Sequence, residues 1–261
     1  MRFVKIPKKR GGYRTICCPG KRHKAFLRGL LGPLTKYSQE VAPPWVVHGF
    51  MPGRSPITNA RQHVGYRYSV CFDLTDFFDT VTPSMLEGTP VEKYVKHVFI
   101  NGRAWQKLPT SPVVANIAAR HLDAAILAFV SSLPGYSNYT RYADDLTISF
   151  NDFVTVNLIL TEVPRIVAES GFILNRDKTE VQCADHGRRH ITGVGVDDKD
   201  VYPTRKMKRM LRAAVHQGNA PQANGLAEWC KCPVPNGYHD ELDKAREQVS
   251  SIVNDAGDLG F

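Results

Sequence analysis

Bulky β-forming residues alternate through Tyr68-Ser69-Val70-Cys71-Phe72-Asp73 and predict a strand that closes on an acid. Residues 139–150 predict two strands around a turn. Leu146, Ile148 and Phe150 alternate with Thr147 and Ser149, the pattern of a half-buried strand, and Asp144-Asp145 falls at the tip. Near the N-terminus two short apolar segments, Phe3 to Ile6 and Tyr13 to Cys17, flank Gly11-Gly12 and predict a basic hairpin, with a helix over 21–39 behind it. Val114, Ile117, Ala118, Leu122, Ala125, Ile126 and Phe129 keep helical spacing, so 113–131 reads as one amphipathic helix with Pro112 at its start. A helix over 154–170 should be kinked or shortened by Pro164, closed by Gly171 and followed by a strand beginning at Phe172 to Leu174. Thr204 caps a helix that Gly218 ends, and its charged positions Arg205, Lys206, Lys208, Arg209 and Arg212 are all basic. A last helix is expected near 239–254. Composition shifts near Tyr202-Pro203, dividing the chain into 1–203, of mixed strands and helices, and a small helical region, 204–261.

Composition narrows the class. The chain has 261 residues, of which 43% are hydrophobic, enough for one large catalytic domain with a small appendage. No apolar run approaches the ~20 residues of a membrane span. The first residues lack the apolar centre of a signal peptide, so a soluble, cytoplasmic protein with no membrane partner is expected. The net charge is +9 and the isoelectric point is near 9.3, which points to a polyanion, nucleic acid before membrane. The six cysteines fit no zinc spacing, and adjacent Cys17 and Cys18 argue against a disulfide framework, leaving free thiols.

The acids carry the chemistry. Aspartate is a poor strand former, so Asp73 at a strand end and Asp144-Asp145 at a hairpin tip need a reason. A turn supplies one, since aspartate hydrogen-bonds turn backbone. Catalysis supplies another. Carboxylates converging from two adjacent strands can hold two divalent ions that clamp the attacking and leaving oxygens of a phosphoryl transfer.

Phe72-Asp73-Leu74-Thr75-Asp76-Phe77-Phe78 followed by Tyr142-Ala143-Asp144-Asp145 closely resembles the two metal-binding motifs of reverse transcriptases. The likeness runs in the family's order over roughly residues 3 to 215. It implies an α+β right-hand polymerase, with fingers and palm (an antiparallel sheet packed on helices) and a short helical thumb. It implies two Mg²⁺ ions, with Mn²⁺ as an alternative, held by Asp73, Leu74, Asp144 and Asp145. Ile6-Pro7-Lys8-Lys9 and Gly11-Gly12-Tyr13-Arg14 look like the fingers motif, so Arg14 and one of Lys8 or Lys9 would contact the triphosphate of a dNTP, as basic side chains contact phosphate. Phe78 matches the steric gate that favours deoxynucleotides; in a continuing strand Phe77 and Phe78 would face opposite sides. Gln106-Lys107-Leu108-Pro109-Thr110-Ser111-Pro112 resembles the motif gripping nucleotide and template, with Gln106 as a nucleotide contact and Lys107 standing where the family has glycine. Gly171-Phe172-Ile173-Leu174-Asn175 with Lys178-Thr179 resembles the next motif. It makes Lys178 the candidate general acid toward pyrophosphate, although a surface lysine beside a turn is an equally ordinary reading.

Two further stretches resemble retron reverse transcriptases. Asn59-Ala60-Arg61-Gln62-His63 matches an Asn-Ala-x-x-His signature, and Ile191-Thr192-Gly193 a Val-Thr-Gly triplet; His48-Gly49-Phe50 and Arg54-Ser55 also fit. The resemblance implies a structured noncoding RNA as template and primer, a single-stranded DNA product, an effector protein and a place in antiphage defence. Asn59, His63, Thr192, Gly193, Arg205, Lys208, Arg209 and Arg212 become RNA-binding candidates, the last four on a thumb helix facing an A-form duplex. Two other readings remain open: a different bacterial reverse transcriptase, defence-associated or intron-related, and an idle polymerase-derived RNA scaffold. Lys107 favours the scaffold mildly; the three aspartates oppose it.

Overall fold

The computed structural model describes residues 1–7 and 11–233. Strands β1 (Arg2–Pro7) and β2 (Tyr13–Cys18) lead into helices α1 (Lys21–Gly29), α2 (Leu31–Val41) and α3 (Pro56–Arg61). Strand β3 (Tyr68–Asp73) precedes helices α4 (Phe77–Thr80), α5 (Val95–Val98), α6 (Ser111–Ala118) and α7 (Arg120–Ser131). Strands β4 (Ser137–Tyr142) and β5 (Asp145–Phe150) are followed by α8 (Thr155–Glu169), then by β6 (Glu180–Cys183), β7 (Arg189–Ile191), β8 (Val194–Val196) and β9 (Val201–Pro203). Helices α9 (Arg205–His216) and α10 (Ala220–Cys230) complete the described part. Lys8, Lys9 and the helix expected near 239–254 lie outside it.

The chain divides into two compact units. The first comprises Met1–Pro43, Leu74–Ile126 and Glu162–Asn175. Its β1–β2 hairpin pairs Lys5 with Thr15 and Ile6 with Arg14, as the Gly-Gly turn predicts. Cys17, Leu27 and Leu108 form a buried cluster behind it. Phe3 meets the Trp105 ring edge-on at 5.0 Å. The helix expected over 21–39 is two helices. Pro33 has no N–H to give the Gly29 carbonyl and its ring crowds that turn, so α1 stops at Gly29 and α2 starts afresh. The single helix expected over 113–131 is also two, α6 and α7, bent by 46°. At the bend the Arg120 guanidinium donates to the Ile117 carbonyl at 3.1 Å, and it also reaches the Met85 carbonyl, outside both helices, at 2.5 Å. Phe77 and Phe78 are not on a strand. Asp76 turns left-handed, at φ 47°, and a helical turn follows. Phe77 is buried against Phe172, while Phe78 is half-buried. Pro164 does not shorten α8, which runs through it. Phe172 to Leu174 makes no strand, only a bridge between Leu174 and Leu74.

The second unit comprises Pro44–Asp73, Leu127–Thr161 and the chain from Arg176 onward. Its main sheet is antiparallel in the order β4-β5-β3-β6. Strand β3 pairs with β5 from Tyr68↔Phe150 to Asp73↔Asp145. Val70, Phe72, Leu146, Ile148 and Phe150 make one buried apolar face. The other face was expected to meet solvent, yet Ser69, Thr147 and Ser149 are at most 2% exposed. Arg189 of β7 and His63, just beyond α3, reach onto it. The cluster of Ile57 and Ala60 with Ile191, Val194, Val196 and Val201 welds α3 to the β7-β8-β9 sheet. Helix α9 begins at Thr204, whose hydroxyl accepts from the Met207 N–H at 3.4 Å. Helix α10, absent from the sequence reading, is capped by Asn219 with proline in its first turn. Among the described residues no single helix is long and apolar enough to cross a membrane.

Candidate functional site

The β3–β5 register sets Asp73 directly opposite Asp145, at the end where the two strands part. Asp144 occupies the β4–β5 turn beside them. That turn is tight: Ala143 takes φ 57°, a left-handed value that side chains seldom adopt. It is braced from outside. The His48 N–H donates to the Arg141 carbonyl at 2.8 Å, the Arg141 N–H to the Val46 carbonyl at 2.7 Å, and Gly49 lies flat against Ala143. His48 is itself locked by Thr58 Oγ1 at 2.9 Å and the Trp45 carbonyl at 3.0 Å. Burial and the nearby Arg54 push its pKa down to about 3, so it is neutral.

Electrostatics tie the three acids together. Burial, then the charges of Asp144 and Asp73, push the Asp145 carboxyl up to about 7, while Lys178 pulls the other way. Lys178 Nζ stands 2.8 and 2.9 Å from the two Asp73 oxygens. Around this pair opens a cleft of about 300 Å³, lined by Asp73, Tyr142, Asp145, Thr147, Lys178 and Glu180, and by His190, Thr192 and Gly193 of the small sheet. At its floor, burial raises the Cys71 thiol to about 12 and keeps it protonated. All six cysteines are free thiols, as expected.

No three His, Cys, Asp or Glu side chains among the described residues form a closed metal-binding group. An incomplete protein set is what Mg²⁺ uses when substrate phosphates and waters supply the remaining ligands. The donors are hard carboxylate oxygens, and the Lys178 ammonium already sits on Asp73 as a cation would. The acids therefore fit divalent ions, provided Lys178 lets go of Asp73. The Leu74 side chain is buried, which leaves its backbone carbonyl as the candidate ligand.

The other candidates sort by exposure. Arg14 is exposed on β2, Gln106 and Phe78 are half-buried, and all three belong to the first unit. The Gln106 carbonyl accepts from the Cys17 N–H at 3.2 Å. Lys107 adopts φ 77°, so the backbone keeps a conformation that suits glycine although the residue is lysine. Thr192, at φ 48°, and Gly193 form the β7–β8 turn on the cleft wall, and the Thr192 hydroxyl donates to the Pro56 carbonyl at 3.1 Å. Arg205, Lys208, Arg209 and Arg212 are exposed along α9. Asn59 and His63 require a correction. They are 1% and 0% exposed, so both side chains are enclosed by the protein and present no surface to RNA in this structure. Sequence reasoning missed Glu180, His190 and Arg189, and quoted Gly49 only as part of a motif, without a role. The Arg189 partners Ser69 and Ser149 gave no signal in the sequence, where they read as a solvent-facing polar set; the β3–β5 register is what pairs them.

Residues 6–207 match the family described as reverse transcriptase (RNA-dependent DNA polymerase). The chain is 35% identical over 239 residues to the retron Mx65 reverse transcriptase of Myxococcus xanthus, covering 81% of this chain and 54% of that one. It is 30% identical over 232 residues to the retron Ec73 reverse transcriptase of Escherichia coli, covering 79% of this chain and 72% of the relative. It thus spans only about half the length of the Myxococcus relative. A solved structure of Candida tropicalis telomerase, in complex with a TWJ fragment of telomeric RNA, superposes with a TM-score of 0.57 at 12% identity, over 99% of this chain and 54% of that one. At that identity the likeness concerns the fold alone, a right-hand polymerase mixing helices and antiparallel sheets.

Proposed function

The chain belongs to the reverse transcriptase family, within its retron branch, and on that premise we propose that it is an RNA-directed DNA polymerase that copies a structured noncoding RNA into single-stranded DNA. The observation that carries this reading is the facing pair Asp73–Asp145, with Asp144 in the adjoining turn and Lys178 on Asp73. The division of labour follows the family: fingers and palm over 1–203, a thumb-like region over 204–261, and a cytoplasmic setting.

The residues' roles follow from their chemistry. Asp73, Asp144, Asp145 and the Leu74 carbonyl would hold Mg²⁺, or Mn²⁺ in its place. Two such ions, when bound, supply activation of the primer hydroxyl and neutralisation of charge on the triphosphate. Arg14 and Lys8 bind the dNTP phosphates. Phe78 sets its ring against a 2′-hydroxyl, and Gln106 lines the nucleotide's loop. Lys178, once released from Asp73, hands a proton to the departing pyrophosphate. Thr192 and Gly193 contact the RNA or the growing strand from the cleft wall, and Arg205, Lys208, Arg209 and Arg212 bind duplex backbone. A structured RNA primed from an internal 2′-hydroxyl, an effector protein and antiphage defence complete the reading. Lys107 takes the left-handed backbone that a glycine would adopt, so the path of the loop supports the polymerase reading over the idle scaffold.

The test is the nucleic acid that copurifies with the full chain expressed beside its own RNA locus. A covalently branched RNA–DNA species is expected. DNA primed only from ordinary 3′ ends would overturn retron-type priming.

A further inference from the structure

The sheet face that carries Asp73 and Asp145 ends, at its other extremity, in a buried polar cluster that the chemistry above does not use. Ser69 and Ser149 face each other in the β3–β5 register, four residues from the aspartate pair and therefore on the same face, ~13 Å away. Their hydroxyl oxygens are 2.6 Å apart. Arg189 donates from Nη1 to Ser69 Oγ at 2.6 Å and to Ser149 Oγ at 3.4 Å, and from Nη2 to the His63 carbonyl at 2.6 Å. His63 spans two strands, with Nδ1 2.8 Å from Ser149 Oγ and Nε2 2.7 Å from Thr140 Oγ1 of β4. All five side chains are at most 1% exposed.

This arrangement needs an explanation. Burying a guanidinium is unfavourable unless it is well paired, and here its partners are hydroxyls and a carbonyl instead of a carboxylate. Its Nε finds no partner among the described residues. Burial and the Arg189 charge also hold the His63 pKa well below its ordinary value, so the imidazole is neutral and the two hydroxyls satisfy its one donor and one acceptor. One feature suits the cluster to the far end of the face: it ties β3, β4 and β5 side by side, and a slip of one residue between β3 and β5 would turn Asp145 to the opposite face.

We propose that Arg189 and His63 are positioning residues for Asp73 and Asp145: an internal clasp that fixes the register and spacing of the metal-binding strands. The inference rests on reading those acids as a polymerase metal site. It gives the Asn-Ala-x-x-His stretch a task inside the protein in place of RNA contact.

The test uses the full chain with Ser149→Ala, Arg189→Met and Arg189→Lys. Three quantities are measured: Mn²⁺ binding by electron paramagnetic resonance without nucleic acid, affinity for an RNA–DNA duplex without dNTP, and the single-turnover rate of nucleotide addition. Ser149→Ala and Arg189→Met should weaken Mn²⁺ binding about 10-fold and slow addition on the order of 10²-fold, the effect of an ångström-scale misplacement, with duplex affinity within about 2-fold of wild type. Arg189→Lys, with one donor head where the guanidinium reaches both Ser69 Oγ and the His63 carbonyl, should recover the Mn²⁺ affinity only in part. Variants that melt earlier yet bind Mn²⁺ and add nucleotides normally would reduce the clasp to a stability element. Lost duplex affinity with intact Mn²⁺ binding would restore the RNA-contact reading. Should Arg189→Met fail to fold, Ser149→Ala decides, since it removes a single hydroxyl. A wild-type chain that adds no nucleotides sinks the polymerase reading, while the Mn²⁺ comparison still decides the clasp.

Discussion

Gly49→Ala places one methyl group against the turn that holds Asp144. The added Cβ would lie 2.2 Å from the Ala143 nitrogen and 3.0 Å from both Ala143 Cα and the Tyr142 carbonyl carbon. Carbon contacts are comfortable at ~3.5–4 Å, so one backbone must retreat by more than about 1 Å. The turn cannot retreat alone, because His48 N–H to Arg141 O, at 2.8 Å, and Arg141 N–H to Val46 O, at 2.7 Å, fasten the two segments together. A displacement of that size costs on the order of 10²-fold in rate when it moves a reacting group, and overpacking costs about 1–3 kcal/mol in stability. Gly32→Ala is the control: its Cβ meets open space within α2, and the change should stabilise by up to about 1 kcal/mol. Single-turnover nucleotide addition and urea unfolding on the three proteins give both numbers. If Gly49→Ala adds nucleotides at the wild-type rate, the close approach of Gly49 does not position the catalytic turn.

Three more outcomes can be checked. Lys107→Gly relieves the side-chain strain at φ 77° and should raise stability by about 0.5–1 kcal/mol in denaturant titrations, whereas Lys107→Ala should give no gain. Asp145 has its pKa raised from 3.8 to about 7, so the fold favours its protonated form; that contribution is present below pH ~4 and lost as pH rises through 7. The interval converts to an upper figure of roughly 4 kcal/mol. In EDTA at pH 8, Asp145→Asn should therefore unfold later than wild type, with the gap shrinking toward pH 4 and on adding Mg²⁺; equal stabilities at pH 8 would contradict the raised pKa. Finally, replacing Arg205, Lys208, Arg209 or Arg212 singly by glutamine should lower the slope of log affinity for duplex against log salt by just under about 1 each, because each exposed cation releases one condensed counterion. An unchanged slope removes α9 from the interface.

The sequence made some of this legible and hid the rest for identifiable reasons. Period-two alternation located β3 and β5 correctly, and a glycine pair located the first hairpin, because these signals are local. The residues that face one another across β3 and β5 were not legible, yet the register Asp73↔Asp145 is what joins the acids. The helix breaks at Gly29 and Ala119 were missed for two reasons: apolar spacing continues across both, and the Arg120 guanidinium that stabilises the second bend bonds to a carbonyl far away in sequence, that of Met85. Thr147 and Ser149 looked like a solvent face because alternation reports polarity, and polar residues are also what a buried hydrogen-bonded face uses. His63 was misjudged for the same cause. A histidine in a short motif suggests contact with a ligand, whereas two hydroxyls on neighbouring strands satisfy it internally.

The central claim is that Asp73, Asp144 and Asp145 catalyse RNA-templated DNA synthesis. Its most direct test is primer extension on an RNA template with dNTPs and Mg²⁺, comparing wild type with Asp144→Asn, Asp145→Asn and an exposed control such as Glu40→Gln in α2. The account predicts DNA product from wild type and control, and a loss of at least about 10³-fold in either aspartate variant, with duplex binding retained. Equal inactivity of all four proteins in the presence of the cognate RNA, or undiminished synthesis by the aspartate variants, would contradict it.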